Sequence, residues 1–430
     1  MTLAADLREI SCPGCGAGLP VLGGGRVTTH VCGYCGSALD VDEGYRVLKQ
    51  FTGLHRPTSP FSIGMEGTLS GVLYRVIGTL GLEERGAGRW WSWVDHLLYS
   101  PTHGYSWLTV EEGHLIWTRR LRGADAQVWL SVATVESAES APRVYCGGEY
   151  LTYYETSTAR ITFAEGEFTW RPMVGDQTVT VSALSDRAMV HFVESQNERE
   201  VDQSVYLPGP ETLAAFGAKE SLSPDGVHPL KPWHSGPNDD FVVKGGLAFA
   251  ALCVVLGLGL MANGRSILPQ QSVAAATLPR EVPLEITAPH RLVSVAVRGD
   301  VTDGWAFVEM SLTDPDGDPV FVTGREVGHY TGYDSDGGWT ENQRTTTLHF
   351  RPETFGTYTM EIDVPEAGRG EDAGGGTVPD IVVSAVEGGA NALWLFGAAL
   401  IFGGVALWKG SGPHLHRRAR WRGTDWTDED

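Results

Sequence analysis

The sequence predicts a mainly β protein organised around a membrane: an N-terminal zinc ribbon, a cytoplasmic β-rich domain, and two transmembrane helices flanking an extracytoplasmic antiparallel β-sandwich. Three observations predict it. Two CxxC turns, Cys12–Cys15 and Cys32–Cys35, lie near the start of the chain. Two uncharged apolar runs, Gly245–Asn263 and Ala390–Trp408, are each about 19 residues long. Everywhere else, short runs of Val, Ile, Thr and aromatic residues alternate with Gly, Asp and Pro turns, the pattern of antiparallel strands.

Residues 1–45 read as the ribbon. Four thiols in two tight turns, about 16 residues apart, have the spacing of a four-cysteine zinc site, with ligands Cys12, Cys15, Cys32 and Cys35. Gly16 and Gly36 follow the second cysteine of each pair and let each knuckle turn with positive φ. Pro13 pre-sets the first turn. Four cysteines complete a tetrahedral site, so His30 is read as a neighbour and not a ligand. The competing reading, two disulfides, needs an oxidising compartment. Cys146 and Cys253 stand alone and read as packing residues. Residues 1–10 show no apolar stretch after a basic start and therefore no signal peptide.

After a Pro-containing junction, 55–60, residues 58–222 read as a β domain. Its strands are expected at Thr68–Thr79, Trp90–Tyr99, Tyr105–Val110, His114–Arg120, Arg160–Phe163 and Thr178–Ala183, with a short helix from Pro210 to Phe216. The Trp/Tyr cluster (Trp90, Trp91, Trp93, Tyr99, Tyr105, Trp107, Trp117, Trp129) is expected in the core and in cross-strand pairs, since aromatics are good strand residues. Trp90 and Trp91 are adjacent, so one of them should face outward. Residues 223–243 read as a Pro/Gly/Ser linker.

At 1.5 Å per residue each apolar run reaches about 30 Å, enough to cross a bilayer. The expected spans are 244–264 and 390–408. Both are rich in Gly and Ala, which suits close helix packing in lipid. Lys409, Arg417, Arg418, Arg420 and Arg422 follow the second span, and such a cluster stays cytoplasmic. With two spans both termini are then cytoplasmic, in a reducing compartment that favours metal thiolate over disulfide. The segment between the spans faces outward. Over residues 264–389 it carries 20 acidic residues against 8 arginines and no lysine. Within it, residues 275–388 read as an antiparallel β-sandwich: Val293, Val295 and Val297 alternate, as do Tyr358, Met360, Ile362 and Val364, and Trp305, Phe307 and Met310 mark another strand. Residues 366–377 read as a flexible loop, and 409–430 as a basic-then-acidic cytoplasmic tail able to touch anionic lipid headgroups.

The chemistry-bearing residues point away from catalysis. There is no HExxH, GxSxG, P-loop or strand-to-helix GxGxxG. His96, His103, His114 and His191 are scattered, and Glu155, Glu165 and Glu167 read as solvated hairpin carboxylates. Asp314–Asp318 resembles the start of a calcium loop, but the sixth and twelfth positions are Pro319 and Arg325, so a hairpin turn is expected, as at Asp334–Gly338. A formal net charge of -21 argues against general nucleic-acid binding.

The segments Leu97-Leu98-Tyr99, Gly104-Tyr105-Ser106-Trp107-Leu108, Glu111-Glu112-Gly113-His114, Ala159-Arg160-Ile161 and Gly166-Glu167-Phe168-Thr169-Trp170-Arg171, with Val174-Gly175-Asp176, Leu207-Pro208 and Ala214–Gly217, resemble the bacterial family of unknown function DUF4178 over residues 10–235. A CxxC-pair ribbon accompanies many of its members. One departure is the acidic residue before the Leu-Leu-Tyr turn, which stands here in Val94-Asp95-His96. The resemblance implies association with envelope and membrane-stress proteins, including small membrane proteins and ion channels. The expected function is therefore a non-catalytic, membrane-anchored adaptor or sensor whose ribbon docks protein partners. The alternatives are a structural subunit of a membrane complex and an enzyme with a site hidden in the β domain.

Overall fold

The computed structural model describes residues 8–24, 26–86, 89–121, 129–194, 199–335, 337–370, 372–389 and 391–426. The chain folds as two units, residues 1–234 with 411–430, and residues 235–410.

The first unit begins with the ribbon. Strands β1 (Arg8–Ser11) and β2 (Gly18–Val21) pair around the first knuckle, and β3 (Thr29–Val31) and β4 (Ser37–Asp40) around the second, followed by β5 (Arg46–Gln50). Next come β6 (Glu66–Leu69), β7 (Val72–Gly86), β8 (Arg89–Ser100), β9 (Gly104–Glu111) and β10 (His114–Arg120). The short α1 (Val132–Glu136) and β11 (Arg143–Cys146) precede the 20-residue β12 (Glu149–Phe168). Then follow β13 (Gln177–Leu184), β14 (Met189–Glu194), β15 (Arg199–Leu207) and α2 (Gly209–Ala215), the helix expected from Pro210 to Phe216.

Apart from the β1–β2 pair, which is a sheet of its own, these strands form one antiparallel sheet that closes on itself. The order β12-β13-β14-β15-β10-β9-β8-β7 returns to β12 through Ile161↔Leu82 to Gly166↔Gly78, giving an eight-stranded barrel. Closure is made by the length of β12: its first part pairs with β13, its second with β7. The last residues of β12 also pair with β3, so β3, β4 and β5 extend the barrel's sheet. The expected break between ribbon and β domain is thus bridged by a hydrogen-bonded ladder, and Val31, Ala38 and Phe51 share one core with Ile77, Ile161 and Phe168.

The second unit opens with α3 (Asp239–Ala262) and continues as β16 (Arg265–Val273), β17 (Arg280–Ile286), β18 (Val293–Gly299), β19 (Gly304–Thr313), β20 (Pro319–Asp334), β21 (Gly337–Gln343), β22 (Thr345–Phe350), β23 (Gly356–Arg369), β24 (Asp372–Gly375) and β25 (Ile381–Glu387), closing with α4 (Leu393–Gly410). Sheet β16-β25-β18-β22 and sheet β17-β23-β19-β20-β21 hold one core between them. Val293, Val295 and Val297 point into it, as do Tyr358, Met360, Ile362 and Val364, at the period of two read from the sequence. The strand read at Gly304–Thr313 is β19, on which Ala306, Val308, Met310 and Leu312 fill the core, and Trp305 and Phe307 lie on the outer face. Within residues 366–377, read as a loop, β23 continues to Arg369 and Asp372–Gly375 pairs with it as β24; Glu371 lies outside the described residues. The Asp314 turn is a hairpin turn whose carboxylate accepts from the N–H groups of Asp316 and Asp318. The second acidic turn includes Asp336, which lies outside the described residues, as do Ala390 and residues 1–7.

Helices α3 and α4 pack on each other through small residues: Gly257 lies against Phe396, Gly246 against Ala406, and the Phe249 and Phe402 rings meet at 4.9 Å. Lys409 pairs with Asp239 at 3.1 Å. The apolar windows of the two helices are only 11% and 6% buried. After α4 the chain re-enters the first unit as α5 (Gly412–Arg420).

Candidate functional site

The structure brings all four predicted cysteines together. Their sulfur atoms lie within 4.8 Å of one another, with Cys12 Sγ to Cys35 Sγ at 3.7 Å and Cys15 Sγ to Cys32 Sγ at 3.8 Å. A tetrahedral ion with metal–sulfur bonds of about 2.3 Å needs sulfur–sulfur edges of about 3.8 Å. The knuckles are near copies: Gly16 N–H donates to Cys12 O, Gly36 N–H to Cys32 O, and both glycines hold positive φ (76° and 71°). Burial pushes the Cys32 thiol up to about 12. Burial also raises Cys35, but the Ser37 hydroxyl and N–H outweigh it and bring this thiol down to about 7. Four sulfurs so close together are suited to sharing a cation in place of their protons. Cys12 and Cys32 are buried, while Cys15 and the neighbouring Tyr34, 79% exposed, face solvent.

The ribbon is held to the barrel by groups that the sequence reading placed in solvent. Glu165 and Glu167 are 3% and 2% exposed. They sit where β12 runs between β7 and β3, so their side chains meet the ribbon and the 51–61 segment instead of water. Glu167 accepts from the N–H groups of Leu22 (2.8 Å) and Gly23, and its Oε1 lies 3.9 Å from His30 Nδ1. Burial raises Glu167, opposed by those two N–H bonds, and lowers His30 to about 4. Arg56 pairs with Glu165. His96 is fully buried between Ser59 (2.6 Å) and Thr79 (3.0 Å), and burial lowers it to about 3.

The barrel interior holds a second polar cluster. Glu155, Ser182, His191 and Asp202 are successive cross-strand partners and therefore share one face of the sheet. Asp95, Thr109 and Thr118 belong to the same face through the β8–β9–β10 ladders. The opposite face is apolar and splits into two separate clusters, one under α2 (Val76, Leu98, Leu108, Leu115, Trp117, Leu213, Phe216) and one including Leu130 and Cys146 (Leu151, Val181, Val190, Phe192). Two patches covered by outside elements are the exterior of a barrel, so the polar face is the interior. Electrostatics agrees: Glu111 on β9 acts on Glu155 of β12 and on His191 of β14, across the barrel. Burial raises Glu155 to about 8, helped by Glu111, Glu84 and Asp425. It raises Asp202 to about 6, with Glu200 adding. It raises Asp95 to about 6 against the pull of the Thr109 hydroxyl at 2.6 Å. His191, between Ser182 (2.9 Å) and Ser204 (2.7 Å), is lowered to about 4. The interior thus holds carboxyl groups poised near neutral pH beside a neutral imidazole, able to donate as well as accept hydrogen bonds. Among the described residues, however, only the four cysteines converge closely enough to hold a metal ion.

One end of the barrel is occupied by segments read as linker and tail. Leu230 packs with Ile116, Tyr154, Leu184 and Met189, and the Trp421 ring meets Tyr154 at 5.7 Å. His114 bonds Tyr206 and the Asp225 carbonyl, and His228 lies 3.4 Å from Glu111. Arg420, 5% exposed, donates to the carbonyls of Pro229 and Ser185. Asp425 accepts from the Tyr153 hydroxyl and the Thr156 N–H, both at 2.9 Å. Of the aromatic cluster, Trp117 is buried, Trp107 and Trp129 meet Trp170 and Phe192 edge-on, and Trp90 is exposed.

Residues 62–209 match the family model of DUF4178, a domain of unknown function. The DUF4178 match runs from just before β6 to the start of α2, which is the barrel itself; the ribbon, both apolar helices and the sandwich lie outside it. No curated protein matches the chain. Among solved structures, the insecticidal δ-endotoxin Cry8Ea1 from Bacillus thuringiensis is similar at 8% identity over 74% of this chain and 52% of its own, with a TM-score of 0.15. The chain thus spans about half the length of that toxin. The infectious bursal disease virus Gx strain structure is similar at 10% identity over 84% and 66%, TM-score 0.16, and PNGF-II at 6% over 73% and 67%, TM-score 0.16. Likenesses at these scores carry no structural argument.

Proposed function

We propose that this protein is a two-span, membrane-anchored, non-catalytic adaptor or sensor with a structural zinc ion in its ribbon and both termini in the cytoplasm. The observation that carries the reading is the bare apolar surface of α3 and α4. On α3 alone, Leu247, Phe249, Leu252, Val255, Leu256, Leu258 and Met261 are exposed. At about 1.5–3 kcal/mol per large apolar side chain, wetting them costs on the order of 10–20 kcal/mol. That equals the whole stability of a typical domain. A buried helix of a soluble core would not leave this face open; a bilayer removes it from water. Residues before α3 and after α4 fold into one unit, which supports two helices that return the chain to the side from which it left. Two crossings satisfy this. The arginines after the second helix favour that side being cytoplasmic, where thiolates persist and zinc is the fitting ion for four sulfurs.

The tail completes the arrangement. Arg420 is folded into the barrel, but His414, Arg417, Arg418 and Trp421 line a cleft of about 460 Å³ on α5 within a dozen residues of the second helix's end. Their charge suits anionic lipid headgroups. The exposed Tyr34 gives the ribbon an apolar tip for a protein partner. The acid-lined barrel, covered at one end by the linker and tail, suits sensing better than turnover. The test is purification of the full chain from native membranes, with bound proteins and lipids identified by mass spectrometry. The reading expects a stoichiometric protein partner, and anionic lipid enrichment that is lost on Arg417→Gln with Arg418→Gln. A lone chain with bulk lipid composition would refute it.

A further inference from the structure

We propose that the edge hairpin of the second unit is a saccharide-binding platform, in which Trp339 presents its ring, Asp303 and Glu341 accept hydroxyl groups, and Tyr330 lines the cleft. The inference concerns a different unit from the ribbon and barrel and does not depend on the anchoring reading. These residues, with Thr331 and Gly370, line a cleft of about 410 Å³. Register builds it. Tyr330 is the cross-strand partner of Glu341, and Gly332 of Trp339, so both rings and the Glu341 carboxylate share one face of β20 and β21.

Both rings lie down on the sheet over glycines. A Cβ on Gly332 would sit 2.3 Å from Trp339 Cζ2, and one on Gly328 would sit 3.1 Å from Tyr330 Cε2. Only the missing side chain at 332 lets the indole settle there. The indole is therefore seated against the strand, yet the residue remains 45% exposed. An aromatic ring left open on an edge strand, with its seat cleared by a glycine, is a costly way to expose about half a tryptophan unless something covers it.

The rim is polar and fixed. Asp303 holds φ of 48°, a conformation that non-glycine residues rarely adopt. It is kept there by Gly370 N–H donating to its carbonyl at 3.0 Å and the Thr331 hydroxyl donating to its carboxylate at 2.6 Å. That hydrogen bond, aided by His329 and Arg369, holds the Asp303 carboxyl below the usual range, as an ionised acceptor. A flat aromatic face takes the weakly positive C–H face of a pyranose ring, and flanking carboxylates take its hydroxyl protons.

The test is isothermal titration calorimetry of the full chain in lipid nanodiscs with chitotetraose, cellotetraose and maltotetraose, and with tetramethylammonium chloride as the cationic competitor. The proposal expects saturable binding of at least one oligosaccharide, weakened about tenfold or more by Trp339→Ala. Gly332→Ala should do the same, because it keeps the indole and lifts it from its seat, and Asp303→Asn should weaken binding with the platform intact. Thermal melts matching the parent show that the variants fold. No saturable heat with any of the three sugars, sugar binding unchanged in both Trp339→Ala and Gly332→Ala, or displacement of the sugar by tetramethylammonium would each overturn the assignment.

Discussion

Glu155→Gln should make the barrel more stable at neutral pH and leave it nearly unchanged in acid. Burial raises this carboxyl from its ordinary value of 4.5 to about 8. The folded chain therefore keeps a proton that the unfolded chain releases between those two values. Protons bound in excess by the folded state make stability fall as pH rises, so the contribution is full below pH 4.5 and is lost progressively up to pH 8. Each pH unit inside the window costs up to about 1.4 kcal/mol. Integrated between about pH 5 and pH 7, the loss is roughly 2.5 kcal/mol. Glutamine keeps the shape and cannot ionise, and among the described residues no hydrogen bond to the Glu155 carboxyl is broken by the change. The histidines work in the opposite direction: His96 and His191 are lowered, so their contribution is lost as pH falls below 6.5. Because both proteins carry them, they largely cancel in the difference. Thermal unfolding of the full chain in detergent, followed by tryptophan fluorescence at pH 5, 6, 7 and 8, reads the gap directly. It should widen from pH 5 to pH 7 by roughly 5–10 °C, since 1 kcal/mol moves a domain of this size by about 2–4 °C. A gap independent of pH, or a variant less stable at pH 7, would show that the acid cluster does not face the barrel interior.

Two further predictions concern the ribbon and the tail. The wild-type chain purified under reducing conditions should carry one zinc ion by elemental analysis; Cys12→Ser should lose it and cost on the order of 4–5 kcal/mol in melts. Because β3 is laddered to β12, that loss should reach the barrel transition, and a metal-free wild type would contradict the site. Arg420→Ala strands the carbonyls of Pro229 and Ser185 and should cost about 3 kcal/mol while opening residues 421–426 to limited proteolysis; an unchanged cleavage pattern would refute the docked tail.

How much of this was legible in the sequence depended on where the polar residues point. The cysteine site was legible because four identical ligands at fixed spacing have little else to do. The period-two strands of the sandwich were legible because burial and hydropathy agree there, and the apolar runs because their length and lack of charge stand out in the sequence. The barrel interior was not. Its strands alternate cleanly, but Glu155, His191 and Asp202 occupy the phase that ordinarily faces water, and only closure by a 20-residue β12 turns that phase inward. Glu165 and Glu167 misled for the same reason, since the strand pairs that cover them lie about 90 and 135 residues away along the chain. The segments read as linker and as a lipid-facing tail carry no apolar pattern that announces docking, yet among the described residues Leu230 and Arg420 are buried and tie them to the barrel.

The central claim is that two helices cross a membrane and return. It is tested most directly by labelling intact cells with a membrane-impermeant maleimide after Asp316→Cys, an exposed turn position between the helices. The account predicts that the thiol introduced there reacts from outside, while the exposed ribbon thiol of Cys15 reacts only after the membrane is permeabilised and the metal removed. Equal reaction of both before permeabilisation, or reaction of neither, would contradict it.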